Sequence, residues 1–190
     1  MTTAQRQSKN KTLSLPLHIC FIGRLEPEKG IDLLVEIINL YLSNTNEKVV
    51  FDICGDGSLS YKIDILVAKY PNNVVYHGFV QNISNQLRTS SVLILTSVVE
   101  TFGLVVLEAF ENEVPVIATS VGGIPEIIND NENGFLVPYG NIELFVNRIR
   151  TLINDENLAD RFVKSALISL NEKFSIETSI NQYLNLINTL

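Results

Sequence analysis

Cysteine is scarce in this chain of 190 residues: there are two, Cys20 in "LHICFIG" and Cys54 in "VVFDICG". Each lies inside an apolar run and neither belongs to a CxxC or Cys/His cluster, which removes a thiolate metal centre and leaves two buried, reduced thiols of a reducing compartment. Cations are short as well. Fourteen Lys and Arg stand against 21 Asp and Glu, a net charge of -7, so most of the surface repels nucleic acid and anionic membrane. Any phosphate must be met by a few local cations or by backbone amides. No apolar run reaches the length of a transmembrane helix, and the opening "MTTAQRQSKNKTLSLP" has no apolar core of a signal peptide. That stretch carries Arg6, Lys9 and Lys11 without an acid, a transit-like charge, but it reads as a disordered start or interdomain linker over 1–16. The chain as a whole reads as soluble and cytoplasmic. Also missing are a GKS/T phosphate loop, a G-x-S-x-G nucleophile elbow, any metal-ligand spacing, internal repeats and low-complexity blocks.

What is there from Leu17 onward is an alternation of short apolar runs with longer stretches of helical period, the pattern of βαβ units and a parallel sheet. The runs predict strands at 17–22, 48–54, 74–77, 92–96, 114–118 and 134–137. Most are continuously apolar, so both faces of the sheet are expected to be covered by helices. Leu34, Ile37, Ile38 and Tyr41 recur at helical spacing over 31–43, with Gly30 as the preceding breaker. The tail predicts three helices, capped by Asn141, Asp155 and Ser175. The expected fold is an α/β, Rossmann-like parallel sheet of about six strands, one domain over 17–190. Its ligand belongs beyond the carboxyl ends of the strands.

Five loops fall at that rim. "GRLEPEKG" places Arg24 and Lys29 beside Gly23, which permits close backbone approach, and suits a diphosphate. Surface pairing of Arg24 and Lys29 with Glu26 and Glu28 explains the same residues. "CGDGSLS" offers Gly55 and Gly57 around Asp56, a Gly-x-Gly without the third glycine that a plain strand-to-helix turn accounts for equally. "HGFVQN" brings Gly78 and the backbone of Phe79 and Val80, and its His77 reads as structural, lacking a partner at triad spacing. "ETFGLVVLE" sets Glu100 in a loop and Glu108 on a helix opened by Gly103, with Leu104, Leu107 and Phe110 as the apolar face. The amides of Phe102, Gly103 and Leu104 would point as a helix N-terminus does. Alone, this segment is explained nearly as well by a capping Glu100 and an outward Glu108. "SVGGIPEII" adds Gly122 and Gly123 at a fifth turn before a short helix opened by Pro125 and Glu126. Cations, exposed amides and carboxylates together suit a nucleotide-sugar.

In this order, "GRLEPEKGID", "CGDGSL", "HGFV", "ETFGLVVLEAF", "VPVIATSVGGIPEII" and "NGFLVP" resemble the C-terminal donor-binding domain of retaining GT-B-fold glycosyltransferases. These are enzymes of the type related to glycogen synthase, sucrose synthase and bacterial mannosyltransferases, and the resemblance covers about 17–190. It implies that Arg24 and Lys29 hold the diphosphate and neutralise it as it leaves, electrostatic catalysis without a metal or other cofactor. It implies further that Glu100, with Thr101, lies by the donor sugar and that the Phe102-Gly103-Leu104 backbone meets sugar and phosphate. Glu108 would accept from the ribose hydroxyls, and the backbone of Gly23, Gly55, Phe79 and Val80 would border the nucleotide. The reaction implied is transfer of a hexosyl group to a glycan, polysaccharide or lipid acceptor with retention, by front-face attack.

Two departures stand out. Glu113 occupies a position where relatives commonly carry glycine, and it reads as a surface change. The acceptor-binding N-terminal domain of such enzymes is not within 17–190, so the chain is expected to be weakly active alone, with peripheral membrane contact left to the full-length enzyme. A stand-alone nucleotide-sugar-binding subunit needing a partner chain, and a GT-B sugar-nucleotide epimerase, are the alternative readings. The base, sugar and acceptor are not legible.

Overall fold

The computed structural model describes residues 16–45 and 47–174. Six parallel strands, β1 Leu17–Ile22, β2 Val49–Cys54, β3 Val74–Gly78, β4 Val92–Leu95, β5 Val116–Thr119 and β6 Phe135–Val137, lie in the order β3-β2-β1-β4-β5-β6. This is the doubly wound arrangement expected, and every expected strand is present within one or two residues. The order reverses between β1 and β4, which pair Ile19 with Val92, so the chain leaves these two strands toward helices on opposite faces of the sheet, the switch point beyond which open α/β sheets form their ligand crevice.

Side chains alternate across the sheet into two apolar layers, as the continuous runs require. One layer takes Ile19, Phe21, Phe51, Ile53 and Ile94 against helices α1 Ile31–Ser43, α2 Ser60–Lys69 and α6 Ile142–Asn154. The other takes Cys20, Cys54, Leu93, Leu95 and Ala118. It packs on α3 Ile83–Thr89, α4 Leu104–Glu111, α5 Ile124–Ile127 and the inner side of α7 Glu156–Lys173. Both thiols are free and buried, and Cys20 is pushed up by its contact with Cys54 and by burial. Within the first layer α1 buries Leu34, Ile37, Ile38 and Tyr41, each such side chain contributing about 1.5–3 kcal/mol of transfer free energy.

The helix starts expected at Asn141 and Asp155 are realised. Asn141 Oδ1 accepts from Leu144 N at 3.1 Å and Asp155 Oδ1 from Leu158 N at 2.9 Å. The helix expected after Ser175 lies outside the described residues. Helix α3 was not anticipated: "ISNQLRT" has one buried residue, Leu87, too little for a periodic signal. Its start is set by Asn82, whose Oδ1 accepts from Asn85 N at 3.3 Å.

One expectation is corrected. The inward face of α4 is Val106, Ala109 and Phe110, whereas Leu104 is 66% exposed and Leu107 half-buried. The helix begins at residue 104, so Leu104 sits in its first turn at the rim, and the i, i+3, i+4 stripe that meets the sheet is shifted two residues along. Among the described residues, no helix is long and apolar enough to cross a membrane.

Candidate functional site

The carboxyl ends of β1 and β4 carry the charged residues that the sequence pointed to. The chain leaves β1 at Gly23, passes Arg24, and makes one turn of 3-10 helix, Pro27–Lys29, before Gly30 starts α1. After β4 it runs through Thr96 and Ser97 to Glu100. Lys29 Nζ meets Glu100 Oε2 at 2.5 Å, with side chains 22% and 12% exposed. This charge-assisted bond joins residues 71 positions apart across the switch point. The backbones are tied too, since Val98 N donates to Glu28 O at 2.9 Å and Thr96 Oγ1 to Lys29 O at 3.0 Å.

Arg24 behaves differently. It pairs with Glu28 at 2.7 Å in the open, its side chain 70% exposed, so the surface-pairing explanation holds for Arg24 and fails for Lys29. Glu26 pairs with neither cation. Its carboxylate accepts from Ser58 Oγ at 2.5 Å and Ser58 N at 2.9 Å, bonds that hold it below the usual carboxylate range. Glu26 thereby staples the loop after β1 to the loop after β2, beside Gly55, whose N–H donates to Gly78 O at 2.7 Å. Gly23 N in turn donates to Cys54 O at 3.0 Å. Three rim loops are thus one hydrogen-bonded shelf.

Glu100 is held from below by the turn after β5. Gly123 N donates to Glu100 O at 3.1 Å, and at Gly122 (φ +53) a Cβ would fall 1.7 Å from that same oxygen. Only glycine fits there. Thr101 and Phe102 are exposed, Phe102 stacking edge-on to Phe174 with ring centroids 6.1 Å apart. Gly103, at φ +81, is the N-cap of α4, and Leu104 opens the helix. Glu108 lies one turn further, half-buried, its carboxyl pushed up by burial and by Glu111. Phe79 stands 79% exposed after β3, and Val80 is half-buried beside it.

The fold therefore gathers Gly23, Arg24, Lys29, Gly55, Phe79, Val80 and Glu100 to Leu104 at the carboxyl ends of four adjacent strands, with Glu108 on the helix behind. His77, expected to be structural, is tied to the neighbouring strand through Asp52. Its Nε2 lies 2.6 Å from Asp52 Oδ1 while His18 Nδ1 lies 2.6 Å from Asp52 Oδ2. The residues that sequence reasoning missed are the polar ones beneath the rim, Thr96, Ser97 and Thr119, while Glu26, expected to pair with the cations, binds Ser58 instead. Thr96, Ser97 and Thr119 are buried, but hydroxyls at a strand end resemble any strand-to-loop transition. Among the described residues no group of three His, Cys, Asp or Glu is placed to hold a metal ion.

The model for glycosyl transferases group 1 matches residues 3–167. Poly(ribitol-phosphate) alpha-N-acetylglucosaminyltransferase of Staphylococcus aureus (strain COL) is 33% identical over 171 residues, 88% of this chain and 34% of its own length. The crystal structure of an S. aureus TarM mutant in complex with Fondaparinux, alpha-GlcNAc-glycerol and UDP superposes with a TM-score of 0.81 at 32% identity. That match covers 90% of this chain and 35% of the TarM chain. The C-terminal domain of a glycosyl transferase group 1 family protein (LpcC) from Francisella tularensis superposes at 0.74 with 26% identity, covering 84% of this chain and 87% of that domain. The chain spans about a third of the length of the first two and nearly all of the third. Family model, sequence relative and structural neighbours agree, and the chain belongs to the glycosyl transferases group 1 family, with the Rossmann-like architecture of one half of a GT-B fold.

Proposed function

We propose that this chain binds a nucleoside-diphosphate sugar in the crevice between β1 and β4, as the donor half of an enzyme that moves a hexosyl group to a glycan, polysaccharide or lipid acceptor. The observation that carries the reading is the Lys29–Glu100 pair at the switch point. In a chain of net charge -7, a cation and an anion at the rim supply the two things a sugar diphosphate needs: charge for the phosphates and an acceptor for hydroxyls. UDP is bound by the TarM mutant in its complex, which makes it the nucleotide to test first.

In this reading Arg24 and Lys29 neutralise the diphosphate as the bond from the anomeric carbon to its oxygen breaks. The acceptor oxygen bonds to that carbon on the same face, with retention, and its proton passes to the leaving phosphate. Two side-chain cations supply the positive charge, and no metal is needed. Glu100 and Thr101 border the sugar, and the amides of Phe102 to Leu104 face sugar and phosphate. Glu108 accepts from ribose, and the backbone at Gly55, Phe79 and Val80 borders the nucleoside. The matched stretch is about a third of the relatives' length, and in this reading acceptor positioning belongs to the remainder of such an enzyme. Two buried reduced thiols keep with a cytoplasmic location.

Calorimetric titration with UDP, GDP and ADP tests this. Binding of one of the three, lost at least tenfold in both Arg24→Ala and Lys29→Ala, is the expected result. Absence of binding at millimolar concentration, or undiminished binding by the two variants, removes the diphosphate assignment.

A further inference from the structure

We propose that Ser97 is a positioning residue for Glu100, holding its carboxylate toward the donor sugar once Lys29 engages the diphosphate. The inference rests on the donor-binding reading above. Ser97 follows β4 directly and is 2% exposed. Its carbonyl is pinned by Thr119 of β5, whose Oγ1 donates to Ser97 O at 2.7 Å. Its own Oγ donates to Glu100 Oε2 at 3.4 Å, the same oxygen that accepts from Lys29 Nζ at 2.5 Å. One carboxylate oxygen thus has two donors, a short charged bond and a long neutral one.

The two donors differ in freedom. Lys29 has its charge at the end of a flexible four-carbon stem, while its backbone carbonyl is held by Thr96 Oγ1 at 3.0 Å. A diphosphate in the crevice therefore draws away the Lys29 side chain and leaves its backbone in place. Ser97 cannot follow, because its backbone is fixed by Thr119 and its hydroxyl turns about a single bond. Glu100 is likewise held through its carbonyl by Gly123 N at 3.1 Å. When the ammonium leaves, the carboxylate would lose its orienting partner at the step where it must accept from sugar hydroxyls. The Ser97 hydroxyl remains, free of its competitor, and closes toward the ~2.7 Å of an ordinary O–H···O bond. Lys29 is then the exchangeable partner of Glu100 and Ser97 the permanent one.

The test has two arms on the full chain. In the first, wild type and Ser97→Ala are titrated with UDP, UDP-glucose and UDP-N-acetylglucosamine. The wild type is expected to bind at least one sugar nucleotide more tightly than UDP. Ser97→Ala is expected to cut that preference about fivefold while UDP affinity falls less than about twofold. In the second, Ser97→Ala is melted in the wild-type and Lys29→Ala backgrounds, and it is expected to cost more where Ser97 is the remaining donor. An unchanged preference, an equal loss for UDP and sugar nucleotides, or a wild type with no preference for either sugar overturns the inference. So does an equal cost in both backgrounds. A wild type that binds no UDP overturns the donor-binding reading itself, and the melting arm then still decides whether Ser97 holds Glu100.

Discussion

Glu113 shows how one backbone angle changes the meaning of a residue. It precedes β5 at φ +59, in the left-handed region where a Cβ costs about 1–2 kcal/mol. The family resemblance marks glycine as common here, and the sequence alone suggests only a surface change. Exposed as it is, Glu113 carries its cost in the main chain. Glu113→Gly is therefore expected to stabilise the fold by about 0.5–1 kcal/mol net of glycine's own entropy, raising the melting temperature by roughly 1–4 °C; an unchanged or lowered Tm refutes the strain. Glu108 is the converse case, a side chain out of its preferred environment. Burial, then Glu111, pushes its carboxyl above the ordinary range. The group therefore favours folding when protonated, and that contribution is lost as pH rises through its titration. Glu108→Gln is expected to melt higher than wild type at neutral pH, the gain shrinking as pH falls through the carboxylate range. In ribonucleotide titrations the same variant is expected to bind more weakly, and a gain in Tm that persists at low pH contradicts the assignment.

Among elements, the loops after β1 and β4 carry the site, and they divide its two cations by environment. Arg24 pairs in the open with Glu28, and Lys29 pairs under partial cover with Glu100. Arg24→Ala is expected to leave stability within about 0.5 kcal/mol yet lose diphosphate affinity. Lys29→Ala is expected to lose both, at a stability cost of about 1–3 kcal/mol because it strands a sheltered carboxylate. Chemical unfolding and calorimetry on the two variants separate these outcomes, and equal stability losses would sink the division. The strands were legible because continuous apolar runs such as "VLIL" have one reading in a parallel sheet. Helix α3 was not, having one buried residue, and the inward face of α4 was not legible because "LVVLEAF" is apolar at every position but Glu108, which leaves the period without a single face to mark. The Lys29–Glu100 pair was not legible either. Both residues stood out, but joining partners 71 positions apart needs the strand order, which no local pattern contains.

At the scale of the whole molecule, an acidic chain reverses its strand order between β1 and β4, with the rim loops bonded into one shelf and Arg24 and Lys29 upon it. The sequence alone led to this rim because its motifs resemble a family whose order of loops is distinctive. The hydroxyls beneath it, from Thr96, Ser97 and Thr119, came only with the fold. The central claim is that a nucleoside diphosphate sits there. Backbone amide chemical shifts of the chain titrated with UDP test it most directly. The largest changes are expected at Gly23 to Gly30, at Gly55, at Phe79 and Val80, and at Glu100 to Glu108, with the amides of α2 and α6 little moved. Changes centred on α1, α2 and α6, or none at millimolar UDP, would contradict it.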